Sequence, residues 1–172
     1  MTLIKEDGTG RADANCYALV ADCDAYHEGH LYATAWSGAP EVLRETALVM
    51  ATRLIDAQFQ FNGFKRRAEQ ALQWPRRECP APDVERELMP EDAVPAIVMA
   101  ASCELARELL KQDRTDDPDG EGLKALRIEG ALSLEFDAKD RQPAIPRLVQ
   151  VMLAKVGEYR GEVTGMARLI RC

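Results

Sequence analysis

The amino-acid sequence predicts a mainly α fold: a helical bundle with a small β-hairpin-like element and extended terminal arms. Aromatic residues make up only 6% of the 172 residues, which favours helix because aromatic and β-branched residues prefer strands. Two long segments repeat apolar residues at helical spacing, and one segment alternates apolar with polar residues. A chain of this length fits one domain with its own core.

The pattern divides the chain into three parts. Residues 1–13 contain two glycines and no apolar periodicity, so we interpret them as a flexible N-terminal arm. Residues 14–156 form a single helical domain, with the β-element at about 124–137. Residues 157–172 are interpreted as an extended tail that orders on a partner.

The first long helix is predicted after the chain break at Ser37 and Gly38, with Pro40 in its first turn. The turn-forming pair Asn62-Gly63 ends it. Its apolar positions recur at spacings of three and four residues: Leu43, Ala47, Met50, Leu54 and Ala57.

The second long helix is predicted to begin near Pro95. Its first part, "PAIVMAASC", carries no charge over nine residues. A helix with so little polar surface is surrounded by protein, either in the core or at a contact between subunits. We expect that core or lateral contact from Ile97, Ala101 and Leu105.

One segment has the period of two that is typical of strands. Its alternating apolar residues are Leu126, Ile128, Leu132, Leu134 and Phe136. Two short strands are not stable alone, so this element must pack on helices or contact a neighbouring subunit. A third helix is predicted after it, ending at Gly157.

The charge balance limits the function. The chain has 29 acidic and 22 basic residues, a net charge of −7. A protein that holds DNA by its phosphates needs a basic face, and this chain offers basic character only locally. Such a balance suits an assembly protein, or the wall of a channel through which DNA slides.

We expect no targeting segment and no membrane helix, because no apolar run approaches the ~20 residues required.

The sequence contains no recognisable catalytic, metal or cofactor motif. Five cysteines form no Cys-x-x-Cys pair, and His27 and His30 lie one residue too close for the H-E-x-x-H zinc motif. We expect reduced thiols in a cytosolic compartment. Phosphate-binding loops, dinucleotide motifs and nucleophile elbows are also absent from the sequence. We therefore predict a protein that is not an enzyme and takes no cofactor.

The segment 61–79, "FNGFKRRAEQALQWPRREC", is the exception to the acidic balance. It combines five cations and two carboxylates with the rings of Phe61, Phe64 and Trp74. These rings could stack on bases, as in single-strand binders. Alternatively, the rings anchor the core and the arginines bridge to acidic surfaces. We favour this second interpretation, because the cations are few and flank the rings.

Four short motifs carry a family resemblance. They are Asp-Ala-Asn-x-Tyr at 13–17, Ala-Thr-Arg-x-Ile-Asp at 51–56, Gln-Ala-Leu-x-Trp-Pro-Arg at 70–76, and a Pro-headed helix with Cys-Glu-Leu-Ala at 95–106. In this order they resemble the small head-to-tail adaptors of tailed bacteriophages, also called connector or head-completion proteins. Some of these carry the label DnaT-like single-stranded DNA-binding protein.

The resemblance implies a structural virion protein. Such adaptors form a ring, usually twelvefold, beneath the portal protein at the neck of the virion, after assembly in the host cytoplasm. The ring extends the channel for double-stranded DNA without sequence-specific binding, and it offers a platform to a downstream tail or nozzle protein. The resemblance implies no catalytic residue, metal, cofactor or membrane.

We assign expected roles on this basis. Trp74, Pro75 and Arg76 form a structural joint after the first long helix, and the β-element contacts a neighbour or the tail. The tail docks to the portal through Arg160, Arg168, Leu169, Ile170 and Arg171. The alternative is a replication accessory protein that binds single-stranded DNA with segment 61–79. Its nucleic-acid contacts would be Lys65, Arg66, Arg67 and Arg77.

Overall fold

A computed structural model describes residues 2–116, 125–128, 132–135 and 143–161. The elements in chain order are α1 (Val20–Glu28), α2 (Thr34–Ser37), α3 (Glu41–Gln58), β1 (Phe59–Phe61), β2 (Phe64–Lys65), β3 (Arg76–Arg77), α4 (Ala96–Leu109), β4 (Ala125–Ile128), β5 (Leu132–Glu135), α5 (Arg147–Leu153) and β6 (Gly157–Tyr159). The strands form three antiparallel pairs, β1 with β6, β2 with β3, and β4 with β5.

The prediction of a mainly α helical bundle is wrong. Within the described residues only α3 and α4 exceed nine residues, and two-stranded pairs form where the sequence suggested no strand. β1 pairs with β6 across about a hundred positions of sequence. Strands of two or three residues are too short to show alternation, so local periodicity could not reveal them. The fold combines packed helices with small sheets.

The core lies between α3 and α4. Helix α3 buries Ala47, Leu48, Val49, Ala51, Thr52 and Ile55. The predicted apolar stripe of α3 is rotated relative to this face, because Leu43 is 52% exposed and Ala57 is also exposed. Both α1 and α4 pack on α3. The helix therefore buries a wider face, centred on Leu48 and Ile55.

Helix α4 is surrounded by protein, as its uncharged sequence predicts. Ala101 and Leu105 are fully buried in the core, and Ile97 packs against it while partly exposed. The buried hydroxyl of Ser102 donates to the carbonyl of Val98. This bond gives the hydroxyl a hydrogen-bond partner within its own helix. Within one subunit these residues therefore serve the core and leave little surface for a lateral contact.

A disulfide joins α1 to α4 through Cys23 and Cys103. The expectation of reduced thiols is therefore wrong for this pair, whereas Cys16 and Cys79 are free and buried. The two bonded cysteines are 80 positions apart, and no spacing rule connects such residues. Beside the disulfide, the buried Glu104 carboxylate accepts hydrogen bonds from Arg107 and from the Tyr26 hydroxyl.

Residues 2–13, which we expected to form a flexible arm, contact the rest of the domain. Lys5 forms a parallel bridge with Cys16, and Glu6 is 1% exposed. Its carboxylate accepts hydrogen bonds from the backbone amides of Gly8, Gly10 and Arg11 at 2.8–2.9 Å. The buried carboxylate therefore closes a loop in which both glycines adopt positive φ.

The predicted β-element is present as the antiparallel pair of β4 and β5, with Ala125 opposite Glu135 and Ile128 opposite Leu132. Phe136 lies outside the described residues. Most of the predicted portal-docking tail also lies outside them. Of its residues only Arg160 is described, and its guanidinium pairs with Glu158 at 2.8 Å.

None of the helices in the described parts of the chain is long and apolar enough to cross a bilayer.

Candidate nucleic-acid interface

Three of the motif segments meet at the end of α3. The Tyr17 hydroxyl donates to the Asp56 carboxylate. The backbone amide of Gln73 donates to the other oxygen of Asp56 at 2.9 Å, and the amide of Trp74 lies 3.3 Å from the Tyr17 hydroxyl oxygen. Residues from segments 13–17, 51–56 and 70–76 thus hold one another through a single carboxylate.

Burial changes the acid–base properties of this carboxylate. It raises the pKa of Asp56 to about 6, although hydrogen bonds from Tyr17 and Gln73 and the charge of Lys65 act in the opposite direction. Burial, followed by the negative charge of Asp56, raises the pKa of Tyr17 well above its ordinary value. The pair belongs to the interior and sets the backbone position of residues 73 and 74.

Two of the three rings in segment 61–79 are part of the core. Trp74 is 0% exposed and Phe61 is 4% exposed, and their rings meet edge to face at 5.6 Å. Neither can stack on a base. The interpretation of these rings as core anchors is therefore right for Phe61 and Trp74.

Arg76 is also committed to the structure. Its buried guanidinium donates to the carbonyls of Phe61, Asn62, Gly63 and Gln73 and to the side-chain oxygen of Gln73, at 2.6–3.2 Å. These bonds connect the turn after β1 with β3. Trp74 and Pro75 are buried as well, and we call these two residues and Arg76 the joint.

The pairing of β2 with β3 gives this hairpin an inner and an outer side. Lys65 lies opposite the buried Arg76, and Phe64 lies opposite Arg77. Since side chains alternate between the two sides of a strand, Phe64 and Arg77 share the outer side. Phe64 is 63% exposed, which is unusual for so large an apolar ring.

A tight turn positions Phe64. Gly63 has φ +70°, and a Cβ at this position would lie 2.2 Å from the carbonyl oxygen of Arg77. Any other residue would therefore clash with β3 as well as adopt a strained backbone. This glycine lets β1 turn directly into β2 and present Phe64 outward.

Two further arginines, Arg66 and Arg67, follow β2 directly in the chain. The Arg66 guanidinium donates to the carbonyl of Gly8 at 2.7 Å, so the N-terminal loop braces it. Arg67 is exposed, and its amide donates to the side chain of Gln70 at 2.9 Å. We call the group formed by Phe64, Arg66, Arg67 and Arg77 the Phe64 surface.

The single-strand-binding hypothesis named four cationic contacts, and in the structure they do not all lie on the same side of the hairpin. Arg77 lies opposite Phe64 in the hairpin, whereas Arg66 and Arg67 follow β2 in the chain. Lys65 points to the inner side, where its ammonium lies 3.4 Å from the carbonyl oxygen of Gln70. Two exposed carboxylates, Glu69 and Glu78, lie in the same segment. They limit the net positive charge of the surface.

A comparison with family models matches the whole chain, residues 1–172, to the family described as "Putative DnaT-like ssDNA binding protein". The chain belongs to this family. Searches of curated proteins and of solved structures find no match. The resemblance is thus confirmed for the DnaT-like family, and its adaptor part stays a prediction.

Sequence reasoning missed the side chains that support the Phe64 surface. Tyr17 and Asp56 each end a motif segment, which was the available signal, but only the fold shows that they bind each other. The sequence gave no indication that Glu6 is buried, because an acidic residue near glycines has the same local sequence whether it is buried or lies in a solvated arm. The same holds for the hydrogen bond from Arg66 to Gly8.

Proposed function

We propose that this member of the DnaT-like family binds single-stranded DNA without sequence preference through the Phe64 surface. The observation that carries the proposal is the 63% exposed ring of Phe64 directly opposite Arg77. An aromatic face accepts any base by stacking, while neighbouring arginines bind phosphates. The family description supports the same function.

The surface fits weak binding of a short stretch of strand. It offers one ring, and stacking of one base contributes about 1–3 kcal/mol. Three arginines bind phosphates, and the exposed acids within the segment oppose them. The overall charge of −7 also disfavours a polyanion away from this surface. Several subunits on one strand would bind more tightly than one.

Fluorescence anisotropy with a labelled oligo(dT) tests the proposal. The test variant combines Phe64→Ala with Arg77→Gln. The control combines Tyr32→Ala with Arg53→Gln, which removes another exposed ring and another exposed cation. Wild type and control should bind at low salt, and the test variant should bind much more weakly. Equal binding by both variants, or no binding by wild type, would refute the proposal.

The head-to-tail adaptor is the second candidate function. It is favoured by large apolar side chains exposed away from the Phe64 surface, including Leu31 at 84%, Tyr32 at 71% and Val42 at 65%. Exposed apolar residues that lie together are typical of protein contacts, and Leu31 and Tyr32 are adjacent in the chain. In this role the subunits would form a ring, possess no catalytic residues, and join a portal and a downstream tail protein at the virion neck.

Mass photometry distinguishes the two candidates. The purified chain would be measured alone and with the portal protein of a tailed bacteriophage. A ring or a portal-bound complex, without a shift of the labelled oligonucleotide, supports the adaptor. A monomer that ignores the portal and binds oligo(dT) supports the single-strand binder.

A further inference from the structure

An open groove of about 450 Å³ lies between the beginnings of α1 and α3. Leu3, Leu19 and Val20 supply its apolar lining, and Glu41 and Glu45 supply carboxylates. The groove is not part of the Phe64 surface, and its lining shares no residue with it.

The apolar and acidic lining of the groove is complementary to a ligand that carries positive charges beside apolar side chains. Leu19 is 40% exposed at its wall. Within the part of the chain that the structure describes, neither Glu41 nor Glu45 forms an ion pair, whereas the nearby Asp22 and Asp24 pair with Lys5 and Arg44. Apolar surface next to unpaired carboxylates complements a basic, apolar peptide.

The chain itself contains such a peptide near its end, in the order Arg168-Leu169-Ile170-Arg171. We propose that this segment docks into the groove of its own subunit. Leu169 and Ile170 cover the apolar lining, and the two arginines pair with Glu41 and Glu45.

The length of the chain supports docking within one subunit. The amide of Arg160 donates to the carbonyl of Gln58 at 2.7 Å, so the described chain ends beside the C-terminal end of α3. The groove lies at the other end of this helix of 18 residues, about 27 Å away. Eight residues, from 162 to 169, can span about 26 Å when extended, which is enough for Leu169 to reach the groove.

The direction of β6 also supports docking within one subunit. β1 continues α3, and β6 runs antiparallel to β1. β6 therefore runs in the direction that leads back along α3 toward its beginning. Docking would hold residues 168–171 over α1, and it would occupy Arg168 and Arg171, two of the three arginines that the adaptor interpretation assigns to the portal.

Cysteine crosslinking in the full chain tests this docking. Ala21 is exposed and lines the groove. In a Cys172→Ser background, Ala21→Cys combined with Leu169→Cys should form a disulfide within one subunit under mild oxidation, identified by peptide mass mapping. The matched control is Ala68→Cys with Leu169→Cys, since Ala68 is an exposed alanine of the basic segment. We expect little crosslinking in this control.

Charge reversal gives a second readout. Adding Glu41→Lys and Glu45→Lys should lower the crosslinking yield at least about threefold, the effect of two exposed ion pairs. Adding Arg168→Glu and Arg171→Glu to that variant should restore it. Crosslinks between two subunits, a yield equal to that of the control pair, or a yield insensitive to charge reversal would each overturn the proposal.

Discussion

Phe64 lies directly opposite Arg77 on the outer side of the β2–β3 hairpin, while their chain neighbours Lys65 and Arg76 form the inner pair. This register divides a basic and aromatic segment into two functions. One side holds the joint together, and the other presents a ring and a cation to solvent.

Phe64→Ala should weaken binding of oligo(dT) by about 1–3 kcal/mol, the contribution of one stacked base, or roughly 5- to 150-fold in Kd. Phe64→Tyr keeps the aromatic face and should bind nearly as wild type does. Anisotropy titrations of the three proteins measure this difference. If alanine and tyrosine behave alike, the ring does not stack on a base.

Arg76→Ala and Arg77→Ala should differ in stability although the residues are adjacent. The first substitution leaves five acceptors of the joint without their charged donor and should cost roughly 3 kcal/mol or more. The second removes an exposed side chain and should cost less than about 0.5 kcal/mol. Urea unfolding measures both. Similar losses in the two variants would contradict the assignment of Arg76 to the joint.

The pH dependence of stability should report on Asp56. Its pKa is about 6 in the folded protein, against 3.8 in the unfolded chain, so the folded state binds the proton more tightly. The stabilisation is fully present below pH 4 and is lost as the pH rises through 6. The shift corresponds to at most about 3 kcal/mol.

Asp56→Asn should remove this pH dependence, because the amide does not titrate. Between pH 4 and pH 7, wild type should lose more unfolding free energy than the variant does. Urea denaturation at several pH values compares the two. Parallel pH profiles would show that Asp56 titrates normally.

The disulfide makes a chemical prediction. In protein purified without reductant and then denatured, an alkylating reagent should modify Cys16 and Cys79 and spare Cys23 and Cys103. Replacing both bonded cysteines by alanine should lower the unfolding free energy by about 2–4 kcal/mol. Mass spectrometry of the alkylated peptides decides the first part. Modification of Cys23 and Cys103 before reduction would contradict the structure.

The sequence predicts those features that depend on local pattern. The uncharged start of α4 correctly indicated its burial, and the alternation around Leu126 indicated the pair of β4 and β5. The rings of Phe61 and Trp74 were correctly favoured as core anchors. In each case, one short segment contains the whole signal.

Features that depend on distant contacts were missed. The pairing of β1 with β6, the bond between Cys23 and Cys103, and the contact of Tyr17 with Asp56 all join segments far apart in sequence. The outward position of Phe64 depends on the register with Arg77 and could not be read from composition. These contacts decide both the fold class and the candidate site.

The salt dependence of oligo(dT) binding by the full chain tests the central claim most directly. Binding to the Phe64 surface neutralises about three phosphates, so the logarithm of the association constant should fall with the logarithm of salt concentration at a slope of about −2. The variant with Phe64→Ala and Arg77→Gln should lose most of this binding. Absence of binding at low salt, or a slope and affinity that the variant leaves unchanged, would contradict the account.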